Sequence, residues 1–100
     1  MAELGARAEK GEPFKLLLFV SGATPRSMRA VATVRKLCET LLAGRYRLEV
    51  IDAFRDPVAA RDHQIVALPT LLRMAPTPKR LFIGDMSDPA PLADGLGLAT

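Results

Sequence analysis

The sequence predicts an α/β domain built on a parallel pair of strands. A nearly continuous apolar run, Phe14–Val20, is typical of a strand covered on both faces. A second run, Tyr46–Ile51, alternates apolar with charged residues and predicts a strand with one wetter face. A helical pattern lies between them. Strand, helix and strand at these lengths form a right-handed βαβ unit, so the fold class is α/β.

The first helix is predicted over Pro25–Ala43. Pro25 suits the first helical position, Thr24 is a suitable N-cap, and Gly44 is a stop signal. Apolar side chains at spacings of three and four form one face: Ala30, Val31, Val34, Leu37, Cys38 and Leu41. This amphipathic pattern predicts that the helix packs on the sheet.

Shorter elements are predicted in the second half. Pro57 starts a short helix over Val58–Val66, with Asp56 as its N-cap. Lys79–Ile83 is a strand. Pro89–Leu98 is a final helix, although its internal proline and glycines disfavour one.

Two segments leave their structure open. Ile65–Met74 mixes leucines that favour helix with β-branched residues that favour strand, and Leu92–Leu98 fits either. Pro69 disfavours a helix running through it and best begins a new element. One interpretation is that short apolar runs carry little information. The other is that the C-terminal half has two competing packings.

Composition indicates a single soluble domain over 14–98, preceded by a disordered polar tail over 1–13. The apolar share is 49%, the charged share 25%, and the net charge of +3 is scattered along the chain. With 5% aromatic residues, a base-stacking platform for nucleic acid is not expected. No apolar run approaches the roughly 20 residues of a membrane span. One cysteine and no signal-peptide pattern predict a cytoplasmic protein.

The residue types needed for catalysis or for a cofactor do not converge in the sequence. His63 is the one histidine and Cys38 the one cysteine, whereas metal sites and nucleophilic triads need several groups together. Cys38 falls on the apolar helix face and is expected to be inert packing. No metal, cofactor or phosphate-binding loop is therefore predicted.

Two places in the chain resemble the thioredoxin fold. The first strand–helix junction, Ser21–Ser27, stands where a thioredoxin has its dithiol, but it contains no cysteine, so dithiol exchange is excluded. Ala67-Leu68-Pro69-Thr70 resembles the segment of the cis-proline. The resemblance implies a scaffold that works by binding.

Four stretches in order resemble the KaiB family of circadian-clock proteins. They are Lys15-Leu16 with Phe19-Val20-Ser21-Gly22-Ala23-Thr24-Pro25-Arg26-Ser27, then Tyr46-Arg47-Leu48-Glu49-Val50-Ile51-Asp52, Ala67-Leu68-Pro69-Thr70-Leu71, and Ile83-Gly84-Asp85-Met86-Ser87-Asp88. Departures in the N-terminal tail, the helix after Asp56 and the last helix imply a divergent member or one from a non-cyanobacterial lineage.

The resemblance implies a non-enzymatic clock or timer protein with two folds. The partner-bound form is thioredoxin-like, βαβαββα. The form alone, a dimer or tetramer, is βαββααβ, with Pro69–Met74 helical and Gly95–Leu98 a strand. The implied partner is the N-terminal ATPase ring of a KaiC-type protein, whose phosphorylation and ATPase cycle it regulates. KaiA and a SasA-like histidine kinase are further implied partners.

The resemblance also assigns candidate partner-binding residues. Arg55, Asp56, Arg61 and Asp62 on or beside the short helix are candidates for the KaiC-facing surface. Arg47 and Glu49 on the second strand are candidates for an edge that pairs with partner strands. The alternatives are a solvated charged face and an edge protected from aggregation.

Four further residues are candidates for a fold-switch or structural role: Pro69, Gly84, Asp85 and Gly95. For Pro69 and the Gly84–Asp85 pair, the alternative is ordinary turn chemistry. Gly95 is expected to weaken the last helix by about 1 kcal/mol relative to alanine. Gly95→Ala is therefore expected to stabilise the helical alternative.

Two rival functions differ in class. The first is a stand-alone sensory or adaptor module that contacts a histidine kinase. The second is a monothiol or thiol-independent enzyme on the thioredoxin fold, which the missing junction cysteine opposes.

Overall fold

A computed structural model describes residues 13–84 and 86–97. Its elements, in chain order, are β1 (Phe14–Val20), α1 (Pro25–Leu41), β2 (Tyr46–Asp52), α2 (Pro57–Asp62), β3 (Thr70–Ala75), β4 (Arg80–Ile83) and α3 (Pro89–Leu96). This βαβαββα order is the one predicted for the thioredoxin-like form. The βαββααβ packing is a different state, and it stays a prediction.

The four strands form one sheet in the order β2-β1-β3-β4. β1 runs parallel to β2, with Val20 opposite Asp52, and antiparallel to β3, with Phe19 opposite Thr70. β4 is antiparallel to β3, with Thr70 opposite Ile83. The turns after Val20, Asp52 and Ile83 and the turn before Thr70 therefore share one end of the sheet, which we call the junction end.

Both faces of the sheet carry a hydrophobic cluster. On one face, α1 and α3 cover a large cluster that includes Leu16, Leu18, Val34, Leu71 and Leu96. On the other face, α2 and the segment after it cover a smaller cluster of Leu17, Phe19 and Leu72. β1 is buried at six of its seven positions, as its apolar run predicts. Each fully buried large apolar side chain contributes about 1.5–3 kcal/mol.

The predicted start of α1 is confirmed. Thr24 Oγ1 accepts a hydrogen bond from the Ser27 amide at 3.2 Å, and Pro25 occupies the first turn. The helix ends at Leu41, two residues before the predicted Ala43. At this end Leu42 caps the helix, and its amide donates to the Cys38 carbonyl at 2.8 Å.

The predicted range of α2 is wrong at its C-terminus. The helix spans Pro57–Asp62, not Val58–Val66. The His63 amide closes it on the Ala59 carbonyl at 3.1 Å, and Gln64 then adopts φ +58°, which ends a helix.

The two open segments have definite structures. After a cis peptide bond between Leu68 and Pro69, residues Thr70–Ala75 form a strand. Residues Pro89–Leu96 form a helix, with Asp88 accepting a hydrogen bond from the Ala90 amide and Gly97 in the left-handed conformation at its end. These caps offset the poor intrinsic propensity of α3.

A buried arginine joins the C-terminal elements. Arg73 on β3 is 7% exposed. Its Nη1 donates to the Leu96 carbonyl in α3 at 3.2 Å, and its Nη2 donates to the Pro78 carbonyl before β4 at 2.7 Å. A cation at the C-terminal end of α3 is also favoured by the helix dipole. Arg73 therefore links β3 by hydrogen bonds to α3 and to the segment before β4, in addition to the apolar cluster that these elements share.

The surroundings of Gly95 bear on the expected effect of Gly95→Ala, which stays a prediction. Gly95 lies in α3 directly over the ring of Phe82 on β4. A Cβ atom at position 95 would overlap Phe82 Cε1 and lie 2.9 Å from Cζ and 3.0 Å from Cδ1. The glycine is thus the residue that allows α3 to approach the sheet.

Candidate partner-binding surface

A cluster of hydroxyl groups occupies the first strand–helix junction. Thr24 Oγ1 donates to Ser27 Oγ at 2.9 Å, and Ser27 Oγ accepts from the Ser21 amide at 3.0 Å. Ser21 Oγ lies 3.2 Å from Ser27 Oγ. Ser27 is 1% exposed, so its hydroxyl is a structural group that ties β1 to the start of α1. No redox-active pair exists at this junction.

Exposed apolar side chains concentrate at the junction end. Of the six large ones that the described part of the chain exposes, five lie in or beside its turns. We call these five the junction-end patch: Met28, Phe54, Val58, Val66 and Ile83. Phe54 and Val66 are the most exposed, at 73% and 89%. A concentration of exposed apolar groups typically marks a protein–protein interaction site.

The predicted charged residues around α2 border this patch. Arg55 and Asp56 stand in the sequence between Phe54 and Val58, and both are exposed. Asp56 Oδ1 accepts a hydrogen bond from the Ala59 amide at 3.1 Å, which confirms the predicted N-cap. Arg61 and Asp62 are exposed at the far end of α2. An apolar centre with a charged rim is the usual anatomy of an interface.

Arg47 and Glu49 form a separate group. They lie exposed on β2, which is an edge strand of the sheet, as predicted. Glu49 is three residues and Arg47 five residues before Asp52, or about 10 and 16 Å along the strand. The structure therefore does not join these two residues with the α2 group in one site.

The predicted fold-switch residues occupy different environments. Pro69 is buried immediately before β3, and Gly95 lies in α3 against Phe82. Gly84 follows β4 with φ +121°, a conformation that glycine adopts and L side chains rarely do. Asp85 lies outside the described residues, as do residues 1–12 of the predicted tail.

Two side chains have pKa values raised by their surroundings. Burial, reinforced by Glu39 and opposed by Arg35, raises the pKa of the Cys38 thiol to about 11. The hydrogen bond that Tyr46 donates to Glu39 Oε2, at 2.6 Å, raises the pKa of the Tyr46 hydroxyl. Cys38 is thus protonated at neutral pH and is a poor nucleophile.

Neither a metal site nor a membrane span occurs within 13–84 and 86–97. No group of three His, Cys, Asp or Glu side chains is arranged to bind a metal ion there. No helix in these two ranges is both long enough and apolar enough to cross a bilayer.

Sequence reasoning missed the residues that organise this surface. The junction-end patch brings together residues from five separate turns or elements, so no local motif reveals it. Phe54 was the strongest available signal, because an aromatic residue in a polar turn after a strand belongs to no helical or strand pattern that predicts its burial.

The fold is of the thioredoxin-like class, and its first strand–helix junction lacks the dithiol. The N-terminal domain of SasA from Synechococcus elongatus superposes with a TM-score of 0.69 at 25% identity, covering 88% of this chain and 87% of that domain. Chloroplastic thioredoxin z superposes with a TM-score of 0.71 at 17% identity, covering 96% of this chain and 86% of the other; this similarity concerns the fold alone.

Sequence comparison is more specific. The KaiB domain profile matches residues 17–97. The circadian clock oscillator protein KaiB of Parasynechococcus marenigrum is 46% identical over 83 residues, which cover 83% of this chain and 80% of that protein. KaiB of Picosynechococcus is 42% identical over 85 residues, covering 85% and 82%. The chain belongs to the KaiB family of circadian clock proteins.

Proposed function

We propose that this protein is a non-enzymatic, cytoplasmic clock or timer component that binds the N-terminal ATPase ring of a KaiC-type protein and regulates its phosphorylation and ATPase cycle. The observation that carries the proposal is the junction-end patch, with the charged residues of α2 at its rim. KaiB family membership supplies the class of partner.

The chemistry of the patch fits stable docking. Phe54 and Val58 are exposed apolar side chains, and Arg55 between them supplies a cation for orienting a partner. Docking on such a surface derives most of its affinity from a few central apolar anchors, while rim charges chiefly set rate and register.

The experiment mixes the protein with a KaiC-type ATPase from the same organism and follows ring complexes by size-exclusion chromatography with light scattering. Phe54→Ser and Val58→Ser are expected to weaken ring binding by about tenfold or more each, because each removes an anchor. Leu81→Ser is the matched control, since Leu81 is the one exposed large apolar residue outside the patch within 13–84 and 86–97. Equal weakening by all three variants, or by none, contradicts the proposal.

A second candidate is a stand-alone adaptor that contacts a histidine kinase. The similarity to the SasA N-terminal domain, at 25% identity over 88% of this chain, favours it. Absence of any ring complex after a day with ATP or ADP, together with direct binding to the kinase, supports this candidate. A KaiA-type protein and a second copy of this chain, in a dimer or tetramer, are further proposed partners.

We also propose that the chain alone exchanges with the βαββααβ packing. The C-terminal half depends on a few specific contacts, among them the two Arg73 hydrogen bonds and the Gly95–Phe82 approach. If only the thioredoxin-like form binds the ring, the apparent affinity falls in proportion to its population. Association with the ring that grows over hours supports the exchange. Immediate association contradicts the exchange but still supports the ring as the partner.

A further inference from the structure

The two edges of the sheet differ in how they are protected. β2 forms one edge and carries the exposed charges Arg47 and Glu49. β4 forms the other edge, where Leu81 is 50% and Ile83 58% exposed. An edge strand presents backbone donors and acceptors, and exposed apolar side chains make it a template for another strand.

The exposed β4 side chains share one face of the sheet. Leu81 pairs with Leu72 across the β3–β4 ladder, and directly opposed residues in an antiparallel pair point to the same face. Leu72 belongs to the cluster on the α2 side, so Leu81 and, two residues on, Ile83 also face that side. Together they give the β4 edge one apolar row.

A depression of about 240 Å³ opens beside this row. Leu72 and Leu81 form its apolar part, while Lys79 and the turn over 62–64 complete the lining. An added strand places every second side chain on this face, and pockets for alternate side chains are what give strand addition its specificity. The depression offers such a pocket for one apolar side chain.

The charge beside the β4 edge is net basic, although the carboxyl-bearing Asp62 also lines the depression. Lys79 and Arg80 precede the apolar row and are exposed. Neither forms a salt bridge within the part of the chain that the structure describes. A strand lying antiparallel to β4 brings its C-terminal end beside these two cations. Acidic residues at that end complement them.

The size of the edge favours a linear segment over a second folded copy. β4 has four residues, and pairing of two such strands falls well short of the roughly 1,200–2,000 Å² buried in a stable complex. An extended segment gains main-chain hydrogen bonds and one anchored side chain from the same short edge.

We propose that the β4 edge binds an extended segment of a partner protein by antiparallel strand addition. The segment has apolar side chains at alternate positions, one of them seated in the depression, and acidic residues at its C-terminal end. This site is separate from the ring-docking function proposed above, although Ile83 borders both surfaces. Its test uses the protein alone, so its failure leaves ring binding untouched.

The experiment measures fluorescence anisotropy of a labelled octapeptide, Thr-Val-Thr-Leu-Thr-Val-Glu-Glu, titrated with the full chain. Saturable binding in the micromolar range is expected. The same peptide with N-methyl groups at alternate backbone positions is expected to bind at least tenfold more weakly, because strand addition needs its amides. A peptide that ends in Lys-Lys instead of Glu-Glu is expected to bind more weakly by a similar factor. The Lys79→Glu protein is expected to bind this Lys-Lys peptide more tightly than the unchanged protein does.

Two variants locate the site. Leu81→Lys is expected to weaken peptide binding at least tenfold, and its half-exposed position keeps the chain folded, which circular dichroism checks. Ala32→Lys, at an exposed position of α1, adds the same charge as the control and leaves binding unchanged. Binding that survives Leu81→Lys, binding lost in Ala32→Lys, insensitivity to N-methylation, or sedimentation showing a second copy on this edge each overturns the proposal.

Discussion

The N-terminal half of the molecule, over 14–52, and the C-terminal half, over 57–96, are held together in different ways. The first half has two seven-residue strands and a helix of 17 residues. In the second half no element exceeds eight residues. The first half is stabilised by a continuous apolar pattern. The second also buries Leu71 and Leu96 in the main cluster, and it adds a buried arginine and one glycine–phenylalanine contact.

This difference teaches where the fold is specified. The local sequence pattern specifies a long amphipathic element, because burial of its regular apolar face stabilises it. Short elements need particular tertiary contacts, so losing one contact affects several elements together. We therefore expect substitutions in the first half to lower global stability and substitutions at Arg73 or Gly95 to open the second half first.

The largest expected effect is on the shared central strand. Leu16 is completely buried in β1, and Leu16→Ala is expected to lower the free energy of unfolding by about 2–5 kcal/mol. Urea denaturation followed by circular dichroism measures it. Exposed Lys15, next in sequence, provides the control, and Lys15→Ala should change stability by less than about 0.5 kcal/mol. Equal effects of the two would contradict this packing.

Arg73→Met is expected to cost about 2–3 kcal/mol, because the Leu96 and Pro78 carbonyls lose a charged donor. Hydrogen exchange should show faster opening of β4 and α3 but unchanged protection of α1. The control is Arg80→Met, because Arg80 is the exposed partner of Arg73 in the strand register. Uniform loss of protection throughout the chain would argue against a separate C-terminal unit.

Gly95→Ala is expected to destabilise this fold by about 1–2 kcal/mol. The overlap with Phe82 exceeds the gain in helix propensity, which is about 1 kcal/mol. Phe82→Leu in the same chain should recover part of the loss by shortening the ring side chain. A gain in thermal stability from Gly95→Ala alone would show that α3 does not approach β4 as described.

Thr24→Ala is expected to cost about 1 kcal/mol, since the amide of Ser27 loses its capping oxygen. Thr24→Ser keeps the oxygen and should retain most of the stability. Thermal denaturation of the three proteins compares them. A loss confined to the C-terminal half would contradict the assignment of this cap to the first half.

The smallest effect at neutral pH concerns the Cys38 thiol. Its folded pKa, about 11, lies above the ordinary value of 9.0, so the folded state favours the protonated thiol. That contribution is fully present below pH 9 and is lost as the pH rises from 9 towards 11. Urea midpoints measured from pH 7 to 11 should fall less steeply in Cys38→Ala. Identical slopes would show that burial does not perturb this thiol.

Much of the first half was predictable because its signals are local. Thr24, Pro25 and the alternating residues of β2 specify their elements within a few positions. The second half was less predictable. In the sequence, Arg73 is one of many scattered basic residues. Its burial follows from hydrogen bonds to carbonyl groups five and 23 residues away, which no local pattern indicates.

The partner surface was predictable only in part. Arg55 and Asp56 were identified near it, because they flank a recognisable helix start. Phe54 and Val66 lie at the same end of the sheet because of the strand pairing, which the sequence pattern does not predict. Gly95 was interpreted by helix propensity alone, and the neighbouring ring of Phe82 adds a steric cost that the sequence pattern does not show.

The most direct test of the proposed function is a hydrogen-exchange footprint of the protein bound to a KaiC-type ATPase ring. The junction-end patch predicts new protection over 22–28 and 53–66, with little change over 45–49 on the β2 edge. Protection confined to the β2 edge, or to the face formed by α1 and α3, would contradict docking at the junction end.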